Sequence, residues 1–226
     1  MYTVQKNLTR LKNKQATFFL DPKELKEITS KLKKNEYSIY SPYLDSEKKI
    51  IYNYQLPEVL LYEIIIKSEV RHQDILGSLY ATGIDNHLFG DILIINNRYY
   101  IYILKIVRNY FETNFKMVKN SYVTLKELDI DYLKDHKRDY EEIEIIVSSL
   151  RCDTVISTLI HCGRNNIKDL IKKKEIIFNY DFLKSSSFKM SIGDTFSIKK
   201  IGKFKYIGIK SCTKSNNLVI KLAKYI

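Results

Sequence analysis

The chain has 226 residues, 45% of them hydrophobic, with 38 Lys and Arg against 26 Asp and Glu. That balance supports a buried core and excludes a disordered basic tail. The longest apolar runs, around Leu60 and Ile92, fall far short of the ~20 residues a membrane helix needs. Cys152, Cys162 and Cys212 have no C-x-x-C spacing and cannot all pair, so neither a disulfide framework nor a zinc site is indicated. The expectation is a cytoplasmic protein with no secretory leader, no membrane partner, no cofactor or metal, and three reduced, buried cysteines.

The charge is unevenly placed. Residues 150–226 carry 16 basic against 5 acidic side chains, whereas residues 1–149 carry 22 against 21. Such a basic module on a near-neutral remainder is the footprint of polyanion binding, because each cation that neutralises a phosphate releases a condensed counterion.

In chain order, Leu20-Asp21-Pro22-Lys23-Glu24 predicts a helix over residues 22–34, with Asp21 at the N-cap, Pro22 at the first helical position and Glu24 completing a capping box. Ile50-Ile51-Tyr52 reads as a short strand, so residues 1–69 form a small α+β unit. A helix over 74–80 stops at Gly83, which supplies the left-handed residue. Gly90-Asp91 reads as a turn, and the β-rich runs 92–95 and 99–104 read as a hairpin closed by Asn96-Asn97-Arg98. A helix over 105–115 and a strand over 121–125 complete a second unit. The charge-mixed interval 129–144 is the most hydrophilic in the chain and reads as a linker, which places a boundary near 144.

In the last segment, Ser148 or Ser149 caps a helix striped by Val155, Ile156, Leu159 and Ile160 that ends at Gly163. A second helix follows, with Ile167, Leu170 and Ile171 inward and Arg164, Lys168 and Lys172 on one outward face. Ile176-Ile177-Phe178, a turn at Asn179-Tyr180-Asp181 and a strand over 195–198 predict a small sheet packed on both helices.

These residues resemble the ribosomal-protein S4-type RNA-binding domain. Leu150-Arg151-Cys152-Asp153, Gly163-Arg164, Leu170-Ile171, Ile176 to Asn179 and Gly193-Asp194 fit it in order and spacing over about 50 residues. Lys174 and Tyr180 stand where that family favours Gly, which predicts an ordinary backbone at Lys174, and Gly163 replaces a Ser. Phe19-Leu20-Asp21-Pro22-Lys23-Glu24, His72-Gln73-Asp74-Ile75-Leu76-Gly77, Gly83-Ile84, Phe89-Gly90-Asp91-Ile92 and Ser148-Ser149-Leu150-Arg151 extend the likeness. The whole chain thereby resembles the YlmH family of bacterial S4-domain proteins.

That resemblance implies an α+β fold in three domains: an N-terminal α+β domain (1–69), a central domain similar to an RNA-recognition motif (70–144), and a C-terminal S4-type domain with a strand extension (145–226). It further implies a non-catalytic, monomeric RNA-binding protein on the large ribosomal subunit. Its partners would be ribosomal RNA and tRNA or peptidyl-tRNA, in ribosome-associated quality control and rescue. The expected RNA-binding residues are Arg151, Arg164, Asn165, Lys168, Lys172, Lys173, Lys174, Asn179, Lys199, Lys200, Lys203 and Lys205. Guanidiniums suit phosphate oxygens, and the amides at the two helix starts add to the anion site.

Blander readings stand beside these. Lys172-Lys173-Lys174 alone describes any solvated helix face. Asp153 orients Arg151 rather than moving protons, His72-Gln73-Asp74 and His161-Cys162 are structural, and Tyr99, Tyr100 and Tyr102 either stack on bases or simply build a strand. The competing function is an RNA-modifying enzyme of the pseudouridine synthase or methyltransferase type, or its accessory subunit. Seven glycines with no G-x-G-x-x-G argue against the methyltransferase. A protein–protein adaptor is a third reading.

Overall fold

The computed structural model of the chain describes residues 2–225, without the side chains of Tyr2, Thr3 and Arg164. It is an α+β protein in two compact units, residues 1–137 and 138–226.

The first unit opens with helix α1 (Tyr2–Lys12), which sequence reasoning left unassigned, and α2 (Pro22–Thr29). The capping box forms as expected: Asp21 accepts from the Glu24 amide at 2.8 Å and Glu24 accepts from the Asp21 amide at 3.1 Å. The helix stops at Ser30, short of residue 34. Strands β1 (Ser38–Tyr40) and β2 (Ile50–Tyr52) pair as a ribbon. Then follow β3 (Val59–Ile66), α3 (His72–Ala81), β4 (Phe89–Ile95), β5 (Arg98–Leu104), α4 (Arg108–Asn114), β6 (Met117–Val118) and β7 (Ser121–Leu128). The sheet order β4-β5-β3-β7-β6, antiparallel throughout, with helices after β3 and β5, is the split β-α-β-β-α-β arrangement. Its first strand is β3, so the segment expected as a separate N-terminal domain gives its last strand to the central sheet.

Both faces of this sheet are buried. Ile75, Leu79, Phe111 and Phe115 of the helical side pack on Tyr62, Ile64, Tyr99 and Ile101. On the opposite face, Ala16, Phe19, Tyr43 and Ile50 cover Leu61, Leu93, Tyr100 and Tyr102. Tyr99, Tyr100 and Tyr102 are at most 5% exposed, which excludes them as base-stacking rings and leaves the strand-building role.

Gly90 and Asp91 hold that cover in place and do not turn the chain. Both lie buried inside β4, at a bulge between Phe89 and Ile92. A Cβ on Gly90 would stand 3.1 Å from Cβ of Tyr102 and 3.2 Å from the Phe19 ring, so any larger residue would press Phe19 and Tyr102 back by a few tenths of an ångström. The Asp91 carboxylate accepts from the Tyr43 hydroxyl at 2.7 Å and from the Glu47 and Lys48 amides at 2.8 and 3.3 Å. Lys48 is half-buried beside it, donating to the Asn86 and Phe89 carbonyls at 2.7 and 2.9 Å. Burial pulls its pKa down to about 8 against the opposing pull of Asp91.

Other local readings hold. The hairpin β4–β5 turns on Asn96 and Asn97 at φ 49° and 60°, and Gly83 follows α3 at φ 82°. Asp74 caps α3 by accepting the Arg71 amide at 2.9 Å, and its carboxyl is held well below the usual range by the Arg71 guanidinium at 3.3 Å and then by Lys119 at 2.7 Å.

The second unit is a six-stranded antiparallel sheet, order β10-β9-β11-β12-β13-β8, with two helices on one face. Its elements are β8 (Tyr140–Val147), α5 (Cys152–Leu159), α6 (Arg164–Lys172), β9 (Ile176–Phe178), β10 (Asp181–Phe182), β11 (Thr195–Ile198), β12 (Gly202–Cys212) and β13 (Leu218–Tyr225). Val155, Ile156 and Ile167 pack on Ile176, Phe196, Ile198, Phe204, Tyr206, Ile220 and Leu222.

The acidic interval expected as a linker, 129–144, ends inside β8. Its alternating Ile143, Ile145 and Val147 join the core, and Glu141, Glu142 and Glu144 pair with Lys224, Lys221 and Lys210 at 2.7, 2.6 and 2.6 Å. Composition alone could not separate a hydrophilic linker from a strand with one wet face. Of the cysteines, Cys152 is buried, and burial with nearby Asp153 pushes its thiol up to about 12, whereas Cys212 is exposed, against expectation.

Lys174 departs from the ordinary backbone expected of it. It keeps the left-handed conformation at φ 55°, and Tyr180 does the same at φ 67°. The turn geometry therefore survives the loss of Gly at some conformational cost.

Two stability predictions follow from these contacts. Asp91→Ala removes the acceptor shared by the Tyr43 hydroxyl and the Glu47 and Lys48 amides and lowers the unfolding free energy by about 3 kcal/mol, read as a reduced urea midpoint; an unchanged midpoint contradicts the role given to Asp91. Lys174→Gly raises it by about 1 kcal/mol, seen as a higher midpoint at constant slope, and a lower midpoint contradicts the strain assigned to that turn.

Candidate nucleic-acid interface

The second unit carries a groove of about 400 Å³ between the start of α5, the outer side of α6 and the segment before Met190. Arg151, Lys168, Lys172 and Lys184 supply its cations, and Ser185, Ser186 and Ser187 supply hydroxyls along one wall. Helical spacing explains the pairing of Lys168 with Lys172: four residues apart on α6, they share a face while Ile167 points into the core.

Backbone hydrogen bonds fix the opposite wall. The Cys152 amide donates to the Phe188 carbonyl, Asp153 to Ser186 and Met190 to Leu150, at 3.0, 3.0 and 2.9 Å. Arg151 and Lys189 form a bridge between the two segments. Residues 186–190 thus run as a strap alongside 150–153, and they bring Lys184 and the serines to the basic face of α6.

This arrangement corrects the expected role of the α5 helix start. Neither Ser148 nor Ser149 caps it; Arg151 is the N-cap. The first amides of α5 are already accepted by Phe188 and Ser186, and that of Thr154 by the Asp153 carboxylate at 2.8 Å. An anion here meets side chains, not backbone N–H groups.

Asp153 has the orienting role expected. Its carboxylate receives the Arg151 fork at 3.1 Å from Nε and 2.7 Å from one Nη. The pair raises the Arg151 pKa, and two of five guanidinium donors are engaged, so the others remain to point at a ligand. Because Arg151 neutralises Asp153, the carboxylate does not oppose an anion in the groove.

The remaining expected residues are not gathered there. Lys173 caps the C-terminus of α6, and Lys174 follows in its turn with Nζ 5.8 Å from the Phe182 ring. Lys199 pairs with Glu175 at 3.6 Å, and Lys200 sits in the β11–β12 turn at φ 67°. Asn179 is a turn residue: its side chain donates to Asp194 at 2.8 Å and accepts the Thr195 amide at 2.9 Å. Asn165 is exposed on α6, and the side chain of Arg164 lies outside the described residues.

Lys203 and Lys205 point the other way. Phe204 and Tyr206 face the core from β12, so strand alternation sends Lys203 and Lys205 to the sheet face away from the helices. There Lys203 lies 4.8 Å from the Tyr180 ring centroid and 4.7 Å from that of Tyr225. The single patch expected from sequence is therefore divided between two faces. Sequence reasoning missed Lys184 and the serines, although Lys184-Ser185-Ser186-Ser187 is visible as a polar run beside the basic helix.

Comparison with known proteins places the chain. A family model described as "Putative RNA-binding domain in YlmH" matches residues 58–132, which coincide with the split β-α-β-β-α-β segment. The "Ribosome-associated protein quality control protein P2" of Bacillus subtilis (strain 168) is 24% identical over 147 residues, 65% of this chain and 57% of that protein. The "Mitochondrial transcription rescue factor 1" of Mus musculus is 33% identical over 61 residues, 27% of this chain and 25% of that protein. The chain thus spans less than two thirds of the length of either relative. Among solved structures, the "Cell division protein ylmH from Streptococcus pneumoniae" is similar at a TM-score of 0.48 and 21% identity, over 58% of this chain and 90% of that one. Residues 58–132, the central segment, thus match the RNA-binding domain described for YlmH, and the chain is similar to a ribosome-associated quality control protein over 147 residues.

Proposed function

We propose that the protein is a non-catalytic RNA-binding factor whose C-terminal unit grips the backbone of folded RNA on the large ribosomal subunit. Ribosomal RNA together with tRNA or peptidyl-tRNA are the partners, and ribosome-associated quality control is the setting. The observation that carries this reading is the convergence of Arg151, Lys168, Lys172 and Lys184 on one groove. Its one carboxylate, Asp153, is neutralised by Arg151. The printed name of the Bacillus subtilis relative supports the ribosomal setting.

The chemistry suits backbone over bases. The major groove of folded RNA is too narrow for side chains, and the groove offers ammonium, guanidinium and hydroxyl donors with no aromatic wall. The order helix, helix, hairpin over residues 152–182 supports reading this module as S4-type. The buried hairpin of the central sheet supports assigning backbone recognition to the second unit, because Tyr99, Tyr100 and Tyr102 cannot reach a base.

Charge reversal provides the test. Lys168→Glu, Lys172→Glu and Lys184→Glu together, all at exposed positions, reduce co-sedimentation with large subunits more than about tenfold and flatten the slope of log affinity against log salt by about 3. Lys205→Glu, on the other sheet face, has a much smaller effect. Undiminished association of the triple variant contradicts the proposal.

A further inference from the structure

The near-balance of charge in residues 1–149 conceals a local excess. Lys6, Arg10, Lys12 and Lys14 precede the first carboxylate, Asp21. Lys6 and Arg10 are one turn apart on α1, and Lys14 follows in a left-handed turn at φ 57°. Leu11 packs inward with Leu20, Ile28 and Ile51, and Val4 and Leu8 join them, which leaves Lys6, Lys12 and Lys14 exposed.

Aromatic rings lie among these cations. The Arg10 guanidinium is 4.1 Å from the Phe18 ring centroid, Lys6 Nζ is 5.8 Å from the same ring, and Lys14 Nζ is 5.9 Å from Tyr54, which is 74% exposed. Arg10 Nε donates to the Ala16 carbonyl at 2.8 Å, which fixes the guanidinium and leaves its Nη donors for a ligand.

Arg10 and Phe18 also edge a cleft of about 390 Å³ whose apolar wall includes Pro57 and Ile106, the latter 81% exposed. At its rim, Glu58 is paired with Lys105 at 2.7 Å, so its carboxylate does not oppose an incoming anion. The cleft has the size of a small-ligand pocket. A basic track interleaved with rings is the pattern that holds single-stranded nucleic acid, with bases on rings and phosphates on cations.

We propose that this cleft holds an unpaired nucleotide of an RNA strand, its base against Phe18 and Ile106, its phosphate on Arg10, and neighbouring phosphates on Lys6 and Lys14. The inference rests on the reading that the protein binds RNA, and it gives the N-terminal unit a contact of its own.

The test is fluorescence anisotropy of the full chain with a labelled ten-nucleotide single-stranded RNA. Lys6→Glu with Lys14→Glu, both at exposed positions, weakens binding about tenfold or more and reduces the salt slope by about 1.4. Arg10→Gln weakens binding about fivefold, with thermal melts confirming that each variant is folded. The groove variants Lys168→Glu and Lys172→Glu change this single-strand affinity far less. The inference is overturned if the wild-type chain fails to bind the strand, if the Lys6 and Lys14 reversals bind like wild type, or if polyglutamate competes for the protein as well as RNA does. Should the groove variants lose ribosomes while the α1 variants keep single-strand affinity, this inference alone falls; if neither set affects any RNA, the proposed function falls with it.

Discussion

A buried carboxylate on the edge strand β4 of a sheet decides which surfaces of this protein can meet RNA. Asp91 receives donors from residues 43–48, and Gly90 beside it leaves room for the Phe19 ring, so the N-terminal segment stays pressed on the central sheet. That sheet has the topology of an RNA-recognition motif, yet the covered face is where such a domain stacks bases. Tyr100 and Tyr102 stand on that face and are core residues. The family match to this segment therefore cannot be understood through stacking on these rings, and polyanion contact is left to side chains elsewhere.

In the second unit the decisive constraint is a strap without a long strand of its own. Hydrogen bonds between residues 150–153 and 186–190 consume the amides of the α5 start and set Lys184 and three serines opposite the basic face of α6. The glutamates of β8 meanwhile neutralise lysines of β12 and β13. Counting residues 138–226, the charge is 17 basic against 9 acidic, less extreme than the last 77 residues suggest. Of the groove's cations, Arg151 is paired with Asp153 and Lys172 lies 3.9 Å from Asp169, so the field there depends on how cations and carboxylates are placed, not on the total.

Local chemistry was legible where one or two residues determine a conformation. Asp21, Pro22 and Glu24 could only begin a helix, Asn96 and Asn97 closed a hairpin, and Gly83 ended α3, because each acts within a few residues of itself. Helical spacing likewise placed Lys168 and Lys172 together. What stayed hidden depends on distant partners. Gly90-Asp91 has the composition of a turn, and only Phe19 and Tyr43, far away in sequence, make it a buried bulge. The face on which Lys203 and Lys205 stand depends on strand parity, which flips with a one-residue shift. The left-handed Lys174 was hidden because the turn around it, closed by its amide on the Ile171 carbonyl, overrides the preference of the side chain.

The claim that RNA lies in the groove of the second unit is tested most directly by amine acetylation of the unmodified protein, free and bound to large ribosomal subunits, with each lysine followed by mass spectrometry. The account predicts that Lys168, Lys172 and Lys184 lose reactivity on binding while Lys205, on the opposite sheet face, keeps it. Protection of Lys205 with Lys168, Lys172 and Lys184 still reactive would contradict it.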